Sequence, residues 1–422
     1  MTADTIFALS SGSPPAAIAV VRISGPNADA ALQALAGTLP KTRRATLAAL
    51  RSGGELLDKA LVIRFAGPHS ATGEDVVELH LHGGRAVVAA VRAALGRMPG
   101  LRAAEAGEFT RRAFDNGRID LTEAEGLADL LEAETESQRR AALALAGGAL
   151  ARQSAAWKRR LLELAAEVEA ALDFSDEDDV TPIAADFSKR LAVLRRELMA
   201  WLERPPSERL RDGVRVVILG PPNVGKSTLI NALAQRDAAI TSPLAGTTRD
   251  LIEVPVAIGG MPFLLVDTAG LREAEGEIEA MGIARAQESA AAADLLLWLG
   301  PAGEAPAGAI VIRPKSDLGG RRGEADLAVS SLTGEGLDSL ARLLRDRASA
   351  LLPVDGEVAL NARHRSALQA AAGALGEAQA TGDLLLTAET LRHARGALDQ
   401  VMGHAGVEDM LDALFGRFCI GK

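Results

Sequence analysis

Residues 220–227 read Gly-Pro-Pro-Asn-Val-Gly-Lys-Ser and follow the apolar run Val214-Arg215-Val216-Val217-Ile218-Leu219. Two glycines flanking a short loop let several backbone N–H groups converge on one anion. A helix opening at Ser227-Thr228-Leu229 adds its partial positive charge. Lys226 can reach β- and γ-phosphates, and the Ser227 hydroxyl can ligate Mg²⁺. The pattern predicts a phosphate-binding loop between a buried strand and a helix, with Asn223, Val224, Gly225, Lys226, Ser227 and Thr228 in contact with nucleotide.

Four more pieces follow in the order GTPases use. Ala245-Gly246-Thr247-Thr248-Arg249-Asp250 offers Thr248 to Mg²⁺ and the γ-phosphate. Asp267-Thr268-Ala269-Gly270 ends the strand-like Phe263-Leu264-Leu265-Val266, so Asp267 can hold Mg²⁺ through water and the Gly270 N–H can sense the γ-phosphate. Pro314-Lys315-Ser316-Asp317 follows Ile310-Val311-Ile312, and Asp317 can accept two guanine N–H groups. Ser330-Ser331-Leu332 is similar to the loop that closes over guanine. Each piece alone is an ordinary turn; their order, spacing and strand context point to GTP. Two departures stand out. Pro314 occupies the place where the guanine motif normally has asparagine, so selectivity leans on Asp317 and the 330–332 loop. Leu271 stands where many GTPases have a water-orienting glutamine, so another group must serve. Glu273, Glu275, Glu277 and Glu279 lie nearby, and each taken singly reads as a solvated carboxylate.

These residues need scaffolding, and the periodicities supply it. Strand-like runs at 17–23, 60–65 and 76–82 and a helix over 86–95 make residues 1–118 a mixed α+β segment. From 119 the pattern becomes helical: Leu161, Leu164, Val168 and Leu172 share a face, as do Leu191, Leu194, Leu198 and Leu202. Breaks fall at Asp173–Asp179, at Thr181-Pro182 and at 204–207. Residues 213–345 alternate strand and helix, with strands expected at 214–219, 252–258, 262–267, 294–299, 309–313 and 327–330. Residues 346–422 are helical again. The resulting fold class is multidomain α/β plus α, with an α/β nucleotide module inserted into a helical domain of 119–212 and 346–422. Between Leu299 and Ile310 lies only a Gly/Ala/Pro-rich link.

The bulk numbers narrow the setting. The chain has 422 residues and a net charge of −10, with no long Lys/Arg tract, which argues against a bare nucleic-acid coat. Cys419 is the one cysteine, so no intrachain disulfide forms and a reducing compartment is expected. No apolar stretch is long enough to span a bilayer, and no secretory pattern opens the sequence. The expectation is a cytoplasmic protein with no membrane partner. His80 and His82 alternate on one strand without a supporting ligand cluster, which favours packing or hydrogen bonding over metal binding.

The nucleotide segments, with Glu279-x-x-Gly282-Ile283-x-Arg285, resemble those of the tRNA modification GTPase family, potassium-activated members of a wider GTPase superfamily. Further segments agree along the chain: Val21-Arg22-Ile23-Ser24-Gly25, Thr72-Gly73-Glu74-Asp75, His82-Gly83-Gly84, the run from Gly107 to Leu121, and the terminal Cys419-Ile420-Gly421-Lys422. The resemblance implies a GTP hydrolase that, with a flavin-dependent partner, installs the carboxymethylaminomethyl group at C5 of the wobble uridine of certain tRNAs. It implies a K⁺ site formed by Asn223, Ser242, Leu244 and Thr247, Mg²⁺ on Ser227 and Thr248, and Glu279 orienting the attacking water. It also implies a first domain that binds folate and dimerises, with Arg22, Glu78, Arg118 and Lys422 contacting a formyl-tetrahydrofolate. The partners implied are a second copy, the flavin-dependent protein in a heterotetramer, and tRNA. Cys419 keeps two readings, a thiol near a flexible end or a catalytic group beside the one-carbon unit. In the family a helix usually fills the 299–310 link. Two other functions fit the residues: a regulatory GTPase of RNA or ribosome assembly without base chemistry, and, because of Pro314, an ATPase.

Overall fold

A computed structural model describes residues 4–173, 184–236, 252–267, 288–319, 324–403 and 408–421. It divides into two compact units, Met1–Ala128 with Met402–Lys422, and Asp129–Val401. The last twenty-one residues therefore belong with the first unit, whereas the sequence pattern grouped them with the helices of 346–422.

The first unit is built on β1 (Thr5–Leu9), β2 (Ile18–Ser24), β3 (Thr46–Ser52), β4 (Glu55–Phe65), β5 (Val76–His82) and β6 (Leu101–Ala103), in the order β3-β4-β5-β2-β1-β6. It also holds helices α1 (Ala28–Ala36), α2 (Arg85–Gly96) and α3 (Glu108–Asp115) and the start of α4 (Leu121–Glu132), up to Ala128. Period-two alternation explains the core. Val21 and Ile23 of β2 and Leu79 and Leu81 of β5 turn inward to Leu32, Leu35, Val91 and Leu95 of α1 and α2. Arg22 and Glu78 consequently lie on the opposite face. Strands β1, β3 and β6 did not stand out in the sequence. Thr46–Ser52 reads Thr-Leu-Ala-Ala-Leu-Arg-Ser, a helix-favouring composition, and becomes a strand because it pairs along its length with β4.

The C-terminal helix Glu408–Gly416 packs Leu411, Leu414 and Phe415 on Leu121 and Ala124 of α4. The chain then turns back to the sheet. Ala106 and Ile420 form an antiparallel bridge, and the Ser10 hydroxyl donates to the Gly421 carbonyl at 2.7 Å. Gly421 sits at φ 102°, and a Cβ there would meet the Leu9 carbonyl oxygen at 2.1 Å, so no other residue fits without displacing the strand.

The second unit carries a helical core and the nucleotide module. Helices α5 (Glu136–Ala146), α6 (Ala149–Asp173), α7 (Phe187–Leu202) and α8 (Ser207–Asp212) precede the module. Heptad-like spacing of Trp157, Leu161, Leu164 and Val168 on α6 faces Leu191, Leu194 and Leu198 on α7. With aromatics at 3% of the chain, alanine and leucine fill this core, and Trp157 stacks edge-on against Trp201 at 5.3 Å. The module holds β7 (Val214–Leu219), α9 (Lys226–Arg236), β8 (Ile252–Ile258), β9 (Met261–Asp267), β10 (Leu295–Trp298), β11 (Ile310–Arg313), β12 (Leu327–Ala328) and α10 (Leu337–Ser349). Its sheet runs β12-β11-β10-β7-β9-β8, and the β8–β9 pair is antiparallel. Placing β7 between β10 and β9 puts the loop after it at the carboxyl edge of a parallel sheet, where such folds bind ligands. The 299–310 link carries only a single turn of 3₁₀ helix, Ala302–Glu304. Beyond the module, α11 (Ala362–Ala380) and α12 (Leu384–Met402) return to the helical core. Asn361 caps α11 through a reciprocal pair with His364.

Candidate functional site

The loop from Gly220 to Ser227 closes against β10. Gly220 lies at φ 149°, and a Cβ there would stand 2.4 Å from the Leu299 carbonyl oxygen, so the close approach requires glycine. Asn223 adopts the left-handed region at φ 58°, which bends the loop tip, and Gly225 follows at φ 112°. Val224 packs its side chain on the module's core and anchors the tip. Lys226 is 6% exposed and donates from Nζ to the carbonyls of Gly220 and Pro221, both at 2.9 Å. The ammonium therefore lies across the mouth of the loop, where incoming phosphate oxygens would meet it. Thr228 is exposed on the first turn of α9.

Ser227 and Asp267, both expected near Mg²⁺, come together. The Ser227 hydroxyl donates to Oδ2 of Asp267 at 2.5 Å, and Asp267 is 2% exposed at the end of β9. A hydroxyl and a buried carboxylate converging from two elements are the hard oxygen donors that Mg²⁺ takes, so these residues fit the ion. Lys315 donates to the Asn223 backbone oxygen at 3.2 Å, which joins the 314–318 turn to the 220–227 loop. Asp317 is exposed on the following turn, Ser316–Leu318. Ser330 is fully buried, and its hydroxyl accepts from the Thr333 N–H. The structure thus brings Asn223 to Lys315 and Ser227 to Asp267. Ser242, Leu244, Thr247, Thr248, Thr268, Ala269, Gly270, Glu279 and Lys422 lie outside the described residues.

In the first unit, Arg22 and Glu78 face each other across β2 and β5. Arg22 Nη2 meets Glu78 Oε1 at 2.9 Å, with the guanidinium 5.7 Å from the Phe109 ring centroid. His80 reaches Glu78 at 3.4 Å, and His82 meets Asp58 at 2.7 Å. Burial would raise the Asp58 carboxyl, but bonds from the His82 backbone and ring and from the Lys59 N–H hold it below its ordinary value. Arg118 is exposed and donates to the Ser70 carbonyl at 3.2 Å. Cys419 is exposed beside the Ile420 bridge. Among the described residues no group of His, Cys, Asp and Glu has metal-binding geometry.

One cluster escaped the sequence reading. Arg112, 4% exposed, pairs with Asp4, Glu74 and Glu108 at 2.9, 3.2 and 3.0 Å. Glu74 also accepts from the Ser24 hydroxyl, which touches Thr72. The signal was present as Glu108 and Arg112 at i, i+4, but nothing local said that the pair is buried.

Comparison with known proteins shows the family of the chain. Residues 5–118 match the family model for the GTP-binding protein TrmE N-terminus, and residues 121–419 match that for the MnmE helical domain. The tRNA modification GTPase MnmE of Rhizorhabdus wittichii is 61% identical over 99% of this chain and 97% of its own length. The proteins of the same description from Erythrobacter litoralis and Zymomonas mobilis subsp. mobilis are 60% and 51% identical, each over 99% of this chain and all of their own length. The chain belongs to the MnmE family of tRNA modification GTPases. An MnmE-family chain is a GTP hydrolase acting in tRNA modification. A solved G domain of the T. maritima FeoB iron transporter overlays 32% of the chain at 24% identity and a TM-score of 0.24, which is too little to argue from. Among the described residues no helix is long and apolar enough to cross a membrane.

Proposed function

We propose that GTP cleavage by this chain is potassium-stimulated and pairs the nucleotide modules of a homodimer. The work so released serves a flavin-dependent partner, bound as a heterotetramer, in placing a carboxymethylaminomethyl group at C5 of a tRNA wobble uridine. The carbon comes from a tetrahydrofolate derivative, and the setting is the cytoplasm. The division of labour is residues 1–118 for folate and dimerisation, 213–345 for GTP, and 119–212 with 346–422 for the helical domain.

The observation that carries the reading is the Ser227–Asp267 contact beneath a lysine that already lies over the phosphate loop. Lys226 exchanges its two backbone carbonyls for β- and γ-oxygens when nucleotide enters. Ser227, Asp267 and Thr248 would hold Mg²⁺, and Asn223, Ser242, Leu244 and Thr247 would hold K⁺. When bound, the two cations neutralise charge that develops between the β- and γ-phosphates. Glu279 orients the attacking water, because Leu271 cannot. In the first unit, Glu78 and the two arginines, 22 and 118, offer an acceptor for a pterin edge and cations for a glutamate tail; Lys422 adds a further cation and Cys419 stands beside the one-carbon unit.

The β8–β9 hairpin would carry the coupling. β8 follows the 245–250 segment directly and β9 ends at Asp267, so both strands of the hairpin end near the nucleotide. Their shared turn meets α5, where the Ser137 N–H and hydroxyl donate to the Gly260 carbonyl at 3.1 and 3.0 Å. Movement of Asp267 on hydrolysis is thereby passed to the first helix of the second unit. The test is steady-state GTP hydrolysis in matched KCl and NaCl. We expect rates at least about tenfold higher in K⁺, the scale of one well-placed charge in a transition state. Equal rates would reject the cation's role.

A further inference from the structure

This inference deepens the nucleotide reading and rests on guanine being the base bound. The recognition turn opens with Pro314, whose ring offers no side-chain donor or acceptor. Asp317 nevertheless has to be held in register, because a bidentate contact to N1–H and N2–H₂ tolerates little displacement.

We infer that Ser316 and Glu335 fasten this turn in place of a side chain at 314, and so set selectivity for guanine. The Ser316 hydroxyl donates to Glu335 Oε2 at 3.0 Å. Its N–H donates to the Val329 carbonyl at 3.0 Å. The Glu335 backbone carbonyl in turn accepts from the Ser330 N–H at 2.9 Å. Glu335 therefore touches both base-facing loops, the turn through its carboxylate and the Ser330 loop through its backbone. Bonds to an ionised acceptor are the stronger kind. On the far side Lys315 reaches the Asn223 carbonyl, which fixes the turn to the phosphate loop but not to the base. Both attachments, on Lys315 and on Ser316, lie in the two residues that lead directly into Asp317.

The chemistry distinguishes three bases. Guanine presents two donors that one carboxylate accepts. Adenine lacks that pair, so adenosine diphosphate is held by its phosphates alone. Xanthine has an oxygen in place of the amine, which repels a carboxylate and welcomes an amide. Loosening the turn should therefore weaken GDP and leave ADP unchanged, whereas general damage to the module weakens both.

The experiment measures fluorescent GDP, ADP and XDP affinity on the full chain. For S316A and E335A we expect about three- to tenfold weaker GDP binding with ADP unaltered, the size of one hydrogen bond. The double variant should be no worse than either single, because both remove the same contact. Pro314→Asn should restore GDP affinity in the S316A background by supplying an amide at 314. Equal losses for GDP and ADP, or no loss, would overturn the assignment. Asp317→Asn separates the two layers of argument by exchanging GDP preference for XDP. If wild type fails to prefer GDP, or that exchange fails, the guanine reading falls and this inference with it. If both behave as expected while S316A and E335A keep full selectivity, only the Ser316–Glu335 contact is wrong.

Discussion

The phosphate loop and the Arg112 cluster both rest on motif residues, yet they are built in opposite ways. In the loop, Lys226 rests on two backbone carbonyls, and Gly220 gives the bend that β10 leaves room for. Phosphate oxygens of a ligand can take the place of those two carbonyls on the ammonium. Around Arg112, three carboxylates close on one buried guanidinium, and Arg102 adds a second cation to Asp4 and Glu108. These side chains are held by one another, although the buried Arg112 Nε has no hydrogen-bond partner. A motif residue that binds its own fold is architecture; one that binds carbonyls a ligand can replace is chemistry.

The largest effect should come from the loop. Lys226→Ala is expected to lower GTP turnover by about a thousandfold or more, since a positioned cation at the transferring phosphoryl group is lost. The melting temperature should move little. Rapid-quench hydrolysis and a thermal scan on the same preparation check both, and a variant that unfolds would erase the contrast with the cluster.

Arg112→Leu should behave in reverse. Removing the buried guanidinium leaves the half-buried Glu74 without a cation and Asp4 and Glu108 with Arg102 alone, at a cost of about 1–3 kcal/mol. Urea unfolding should show that loss in the first unit, with GTP turnover per folded molecule unchanged. Full stability in this variant would mean the cluster is decorative.

A smaller effect sharpens the same point through pH. Burial would raise Asp4 and Glu108, but hydrogen bonds and charges from Arg102 and Arg112 hold both below their ordinary values of 3.8 and 4.5. Their folded values are lower than their unfolded ones. The stabilisation is therefore complete above the unfolded values and drains away as pH falls through the folded ones. The urea midpoint of the first unit should drop between about pH 5 and pH 3, and Arg112→Leu should flatten that drop. An unchanged slope in the variant would detach the cluster from the acid response.

Much of this was legible beforehand, and unevenly. The six strands of the nucleotide module stood out because each is a short apolar run next to a motif whose spacing is fixed by phosphate and base. The end of the chain did not. Leu411, Leu414, Phe415 and Phe418 declare a helix with an apolar face, but a period says nothing about which core receives that face. The Gly421 position beside Leu9 depends on residues about four hundred apart in the chain. Strand β3 was obscured by its alanines and leucines, which only pairing with β4 turns into a strand. In the site, the loop residues proposed to hold nucleotide were readable from residue type. The Ser316–Glu335 contact was not, since nothing local marks Glu335 as reaching across to the turn.

The central claim is that phosphate chemistry at Lys226 drives a change made on tRNA. It is tested most directly by mass spectrometry of tRNA nucleosides from cells lacking this protein and complemented with either wild type or Lys226→Ala. Wild type should restore the modified wobble uridine, while Lys226→Ala, expressed and folded to the same level, should leave it absent. Equal restoration by the two would contradict the account.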